Sequence, residues 1–296
     1  MDYTGTLKRA WQITWRHKAL WVFGFLLSLF SGGGGSGSGR GMQYTFEGGD
    51  RLAPGWIMTL VVLVLLFVLV VIVLSIVIGY LSHGALIGMV REVEETGQTS
   101  VASGWRMGRP YILRLFGIDL VLGIPAAIVA IVLVAIGLAP LLLLLARNEG
   151  ATVLAIVLTV GLMLGVIALL IVMSLVLSLL RELAFRQGVL GGKGVVNSIR
   201  DGYRLARTNL KHVGVMWLLL AIIGLVWGAI LIPLGLGVFA VSAAPAFATY
   251  TASQSQLAGI LVGLLFAIPG MLVLSLLGGV YQAFQSAVWT LTYREL

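Results

Sequence analysis

Cysteine is absent from the 296 residues. That removes disulfides, thiolate nucleophiles and cysteine-ligated metals together. Histidine is scarce as well: His17, His83 and His212 each stand without a second histidine nearby, which leaves no clustered donor set for a transition metal. Charge is the third shortage. Asp, Glu, Lys and Arg make up 10% of the chain, against roughly 25% in soluble domains. Hydrophobic residues reach 59%, so too few charges remain to coat a water-facing surface. Lipid must be the solvent for most of this chain. Enzyme templates fail for want of the same groups. There is no Ser/His/Asp set within the apolar segments, no second intramembrane Asp to form an aspartyl dyad, and no HExxH. Glu94-Glu95 lacks the arginine that a membrane metalloprotease pair requires and reads as a charged surface run. The sequence predicts no enzyme, no cofactor and no metal.

What is present is apolar sequence in long runs. Spans are expected at about 56–90, 112–139, 151–180, 213–240 and 257–290, each near or above the roughly 20 residues that cross a bilayer. Pro125, Pro140, Pro233 and Pro269 mark kinks or ends. A first, shorter segment runs from Ala19 to Phe30. It follows an amphipathic entry helix at 6–18, where Leu7, Trp11 and Trp15 fall at four-residue steps beside Lys8, Gln12 and Arg16. A charged stretch before a short apolar run also suits a signal peptide. Leu29 and Ser31 make a poor small-x-small cleavage site, so an uncleaved anchor is the better reading. Between this anchor and Pro54 lies a connector with Gly32 through Gly35 in a row, and Trp56 marks the outer interface of the next span.

Three of the apolar segments end in the same dipeptide: Arg91-Glu92, Arg181-Glu182 and Arg294-Glu295. With 15 Arg and 7 Glu in the chain, chance supplies about 0.35 such pairs, and recurrence at one structural position marks an internal repeat. The basic connections agree. Gly104-Trp105-Arg106 precedes Arg109, Tyr111 and Arg114, whereas Gly202-Tyr203-Arg204 precedes Arg207, Asn209 and Lys211. Ala10-Trp11-Gln12, then Trp15, Arg16 and Lys18, is a looser third version. The expected fold is an all-α integral membrane protein of six transmembrane helices in three repeated hairpins with a pseudo-threefold layout. The repeats cover 1–95, 96–190 and 191–296, with amphipathic interfacial helices on the cytoplasmic side.

The net charge of +8 sorts by side. Of the 19 Lys and Arg, all but Arg40, Arg51 and Arg147 fall on the side of the termini and the long inner connections. Positive charge resists translocation, so that side is cytoplasmic, with both termini inside a prokaryotic plasma (inner) membrane. The basic excess reports topology and contact with anionic headgroups; nucleic acid is not an expected partner.

The motifs AWxxxWRxK at 10–18 and GYRLARxNLK at 202–211 resemble a group of prokaryotic multi-pass proteins of the glycerophosphoryl diester phosphodiesterase membrane-domain type. That label derives from fusions to a soluble catalytic barrel, which this sequence lacks. The resemblance therefore implies a membrane module, and no phosphodiesterase residue carries over.

Few side chains stand out as a site. Asp119 and His83 are the ionisable groups at depth, about 7.5 Å beyond Arg114 and about 12 Å before Arg91. An intramembrane carboxylate is a functional candidate by default, for proton or cation coupling; the structural reading pairs it with a snorkelling arginine. Gln282, Gln285 and Ser286 form a polar stripe that either lines a cavity with His83 and Asp119 or bonds neighbouring helices. GxxxG spacing at Gly84/Gly88, Gly161/Gly165, Gly224/Gly228 and Gly259/Gly263 predicts close helix packing within the chain or in a homo-oligomer. Residues 195–211 read as a helix lying on the membrane. Val196, Ile199, Tyr203, Ala206 and Leu210 form one face, while Arg200, Arg204, Arg207 and Lys211 reach headgroups from another. These features favour a non-enzymatic multi-pass protein acting as a structural or partner-binding module. A transporter or permease for a small or lipid-like solute is the alternative.

Overall fold

The computed structural model describes residues 2–30, 55–146 and 149–296, and among these every element is helical. The glycine-rich connector, Pro54, Arg40, Arg51 and Arg147 lie outside the described residues, as does the side chain of Trp56. Nine α-helices follow in order: α1 (Tyr3–Arg16), α2 (Ala19–Phe30), α3 (Gly55–Thr96), α4 (Val101–Gly108), α5 (Ile112–Leu138), α6 (Glu149–Val189), α7 (Val195–Thr208), α8 (Leu210–Ser253) and α9 (Gln256–Glu295). Among the described residues five helical stretches are long and apolar enough to cross a membrane. The sixth segment, α2, has 12 residues, about 18 Å of helix against a hydrocarbon core of about 30 Å.

Helix boundaries follow local chemistry. The Asp2 carboxylate accepts from the Gly5 N–H at 3.0 Å and caps α1. Ser100 and Ser103 cap α4 reciprocally, each side chain accepting from the other's backbone N–H. The α-helix of α5 stops before Ala139-Pro140, and a 3-10 stretch carries the chain on to Ala146. Pro125, Pro233 and Pro269 sit inside α5, α8 and α9, and Pro245 does so too. Lipid-facing helices tolerate such breaks because the helix continues on both sides and neighbouring groups take up the freed carbonyls. Two of the three Arg-Glu pairs do not terminate their helices, since α3 runs on to Thr96 and α6 to Val189, whereas α9 ends at Glu295.

The chain forms two compact units: one holds 113–217 and 292–296, the other 2–112 and 218–291. In the first, α7 lies against the end of α6, with Gly202 at the closest approach. A Cβ there would stand 3.0 Å from the Ala184 nitrogen, so any other residue would require the two helices to give by a few tenths of an ångström. In the second, α4 lies against α3, where Gly104 and Gly108 face Met89 and the Leu81 carbonyl. Here also α2 meets α9 backbone to backbone at Gly24 and Gly279, and Leu20, Phe23 and Leu27 are buried. Within this unit α3 changes character along its length. Its residues from Val61 to Val73 are exposed and apolar, whereas Leu81, Ala85, Leu86, Met89 and Val90 are buried.

Candidate functional site

The ends of the helices that carry the Arg-Glu pairs gather most of the charge. In the first unit the Asp119 carboxylate, on α5, accepts from Arg181 of α6 through both oxygens, Nε and Nη2 donating at 2.6 Å each. This two-point geometry fixes orientation as well as charge, and the Arg181 guanidinium also lies 4.9 Å from the Phe185 ring centre. One turn on, Glu182 accepts from the buried Arg186 at 2.5 Å. Arg114 donates to the Gly188 carbonyl at 2.9 Å. Lys193 donates to Asp201 at 2.7 Å, which holds the Asp201 carboxyl below its ordinary range and ties the turn before α7 to that helix.

The second unit has its own set. Glu92 accepts from Thr99 at 2.7 Å and from Ser103 at 2.6 Å, fastening α4 to α3. Arg91 bonds Glu95 at 2.8 Å, and Arg9 of α1 reaches Glu94 at 2.7 Å. Glu94 is therefore not part of a surface run: its side chain is 10% exposed and tethers α1. Trp11 stacks on Trp15 at 5.2 Å and meets Phe284 of α9 edge-on at 5.9 Å. Trp21 donates its indole N–H to the Thr14 carbonyl at 2.8 Å.

Three short helices share one arrangement, a small buried residue followed by an exposed aromatic: Ala10-Trp11 in α1, Gly104-Trp105 in α4 and Gly202-Tyr203 in α7. In α7 the division differs from the two-faced helix expected. Ser198 and Gly202 are buried against α6, so this protein covers part of the apolar face itself. Val196 and Tyr203 instead stand outward in the same stripe as Arg200 and Arg207, with Arg204 alongside. Lys211 and Leu210 belong to α8, because α7 ends at Thr208.

Asp119 belongs to the first unit and His83 to the second, and the partner described for Asp119 is Arg181. The glutamines follow neither expectation in full. Gln282 and Gln285 line a cleft of about 720 Å³ within the second unit, between α8, α9 and the end of α2. Its walls are Gly224, Trp227, Gly228 and Leu231 on α8; Leu274, Ser275, Gly278 and Tyr281 on α9; and Ser28 on α2. Trp227 and Tyr281 stack with ring centres 6.2 Å apart, and the Tyr281 hydroxyl donates to the Leu220 carbonyl at 3.2 Å. The Trp227 indole N–H is buried without a partner among the described residues. Sequence reasoning missed Trp227, Tyr281, Ser28 and Ser275. For Trp227 and Tyr281 the signal was a three- and four-residue stripe interrupting two apolar helices, 224/227/228/231 and 274/278/281/282/285, whereas Ser28 and Ser275 lie on neither stripe.

The glycine pairs divide. Gly259 and Gly263 approach Ala246 and Tyr250 of α8, and Gly88 approaches Met107. Around Gly161, Gly165 and Gly228 nothing described lies within 4 Å of where a Cβ would stand. Among the described residues no group of His, Asp and Glu has the proximity to hold a metal ion.

Comparison with curated proteins found no match, and comparison with solved structures found none either. Nothing in these comparisons links the chain to the phosphodiesterase membrane-domain group. A family model matches residues 11–292, nearly the whole chain. The chain belongs to that family, DUF7544, a family of unknown function.

Proposed function

We propose that this protein is a non-enzymatic module of a prokaryotic plasma membrane, with both termini cytoplasmic, that holds lipid and a protein partner at its basic ends. In this reading α2/α3, α5/α6 and α8/α9 are three repeated hairpins, and α2 completes a sixth, shallow span beside α9. The motif resemblance to the phosphodiesterase membrane-domain group belongs to the same proposal, as does the absence of catalysis. The observation that carries it is how the acidic groups are used. Glu92, Glu94, Glu95, Asp119, Glu182 and Asp201 each bond a fixed partner in the chain. Carboxylates committed in this way position helices, whereas general acids and coupling sites need a group that gives up and regains its proton.

The exposed aromatic and arginine residues of α4 and α7 then face anionic headgroups, and a partner docks over them or along the lipid-facing glycines. Mild-detergent purification from native membrane tests this: a stoichiometric partner is expected, and recovery of the chain alone at every detergent strength would refute partner binding. The cleft favours a second reading, a permease for a small or lipid-like solute. Solute flux in reconstituted vesicles that Gly228→Leu abolishes would select it over the first.

A further inference from the structure

The cleft between α8, α9 and the end of α2 is chemically one-sided. No Asp, Glu, Lys, Arg or His lines it. An ionic ligand would lose its hydration there and gain no counter-charge in return. The polar groups that do line it are uncommitted. The carboxamides of Gln282 and Gln285 and the hydroxyls of Ser28 and Ser275 make no hydrogen bond among the described residues, and the Trp227 N–H is an orphan. Unsatisfied polar groups at membrane depth are costly, so an occupant that bonds them is favoured.

Position sorts these groups along the axis. Counted back from Glu295, Gln285 lies at about 15 Å and Leu274 at about 32 Å; counted from Leu210, Leu231 also lies at about 32 Å. The amides therefore occupy the end nearer the basic termini, and the leucines, with the Ser275 hydroxyl beside them, occupy the end nearer the middle of the helices. Gly228 opens the space: a Cβ built there meets nothing within 4 Å, so the glycine serves no helix contact. A transmembrane helix about 10 Å wide would fill 720 Å³ in under two turns, too little for a docking partner, while the volume is ordinary for a small ligand.

We infer that this cleft binds an uncharged amphiphile, a lipid whose hydroxyl or ester head bonds Gln282 and Gln285 while its chains lie along Leu231 and Leu274. Diacylglycerol-type lipids have this chemistry: oxygen donors and acceptors without charge, on an apolar body. The inference stands apart from the partner-binding reading and from transport, since binding without flux and without a protein partner satisfies it.

The test uses the full chain in phosphatidylcholine nanodiscs with a photoactivatable dioleoylglycerol. Saturable labelling of peptides within 224–231 and 274–285 is expected, displaced by unlabelled dioleoylglycerol and at least tenfold less by dioleoyl phosphatidic acid. Gly228→Leu, which fills space and touches no packed neighbour, is expected to cut labelling at least tenfold with an unchanged melting temperature. Should that variant misfold, Gln282→Leu/Gln285→Leu gives the decision, because it keeps side-chain volume and removes only the amides. Labelling that does not saturate, that folded variants leave unchanged, or that phosphatidic acid displaces equally would overturn the assignment.

Discussion

The two halves of α3 have opposite relations to their surroundings. From Val61 to Val73 the helix is apolar at every position and exposed at every position; from Leu81 to Val93 it is mostly buried and carries Ser82 and His83. In water the exposed half would drive aggregation. In a bilayer it needs no protein cover, because lipid chains are as apolar as leucine and give helices no hydrophobic reason to associate. The buried half owes its packing to specific contacts instead: Gly88 against Met107, Gly108 against the Leu81 carbonyl, and Glu92 bonded to α4. Hydropathy thus identifies what faces lipid, and small residues with hydrogen bonds identify what holds the fold.

Paired substitutions break or sharpen that contrast. Leu86 is fully buried and Leu65 is 66% exposed. Leu86→Ala is expected to destabilise the protein by about 2–5 kcal/mol, while Leu65→Ala shifts it by less than about 0.5 kcal/mol, read by thermal unfolding in detergent. Equal losses at the two sites would erase the distinction. Next in size is the Asp119–Arg181 pair, partly exposed and bidentate. Asp119→Asn is expected to lower stability by about 1–3 kcal/mol, between the values for exposed and buried pairs. Any transport the protein performs should survive. A folded Asn variant that loses proton-dependent flux would instead make Asp119 a coupling group.

A smaller effect belongs to α7. Each of Arg200, Arg204 and Arg207 replaced by Gln should weaken attachment of this helix to anionic vesicles by about 1 kcal/mol at low salt. Spin labels walked through 195–208 should show lipid contact centred on Val196, Arg200 and Tyr203 and protection at Ser198 and Gly202. Uniform water exposure would remove the membrane-surface role. The smallest effect concerns Asp201, whose folded carboxyl is held below its ordinary value of 3.8 by Lys193. A lowered carboxylate pKa adds stability above the ordinary value and loses it as pH falls through the folded one. The melting temperature should therefore drop slightly more below pH ~4 in the wild type than in Asp201→Asn.

Much of the layout was legible because lipid imposes a single rule on long helices. The spans from 56, 151, 213 and 257 lie within α3, α6, α8 and α9, and the span from 112 ends one residue past α5. Of the four prolines expected to kink or end helices only Pro140 follows a helix end, the others lying inside α5, α8 and α9. The entry helix before Ala19 followed from the four-residue steps of Leu7, Trp11 and Trp15. Partnerships were less legible. Period alone placed Ile199 and Ala206 on a membrane face, yet Gly202 lets α7 sit on α6 and this protein covers part of that face. The partner of Asp119 lies 62 residues away in sequence, beyond the reach of any local pattern. The cleft was half legible: Gln282 and Gln285 read as able to line a cavity, but Gly228 reads as half of a packing motif, and only the placement of α9 shows it facing open space.

The meeting of Gly24 with Gly279 has a consequence for biogenesis. Segment α2 is too short to cross the membrane unaided; α3 and α4 pack on it soon after it is made, but its glycine contact is with a helix made roughly 250 residues later. At about 5–20 residues per second, the first apolar segment waits tens of seconds before that contact can form. Packing of α2 is therefore completed only after the rest of the chain has been synthesised, and a ribosome halted before α9 should leave α2 more accessible to protease than it is in the finished chain.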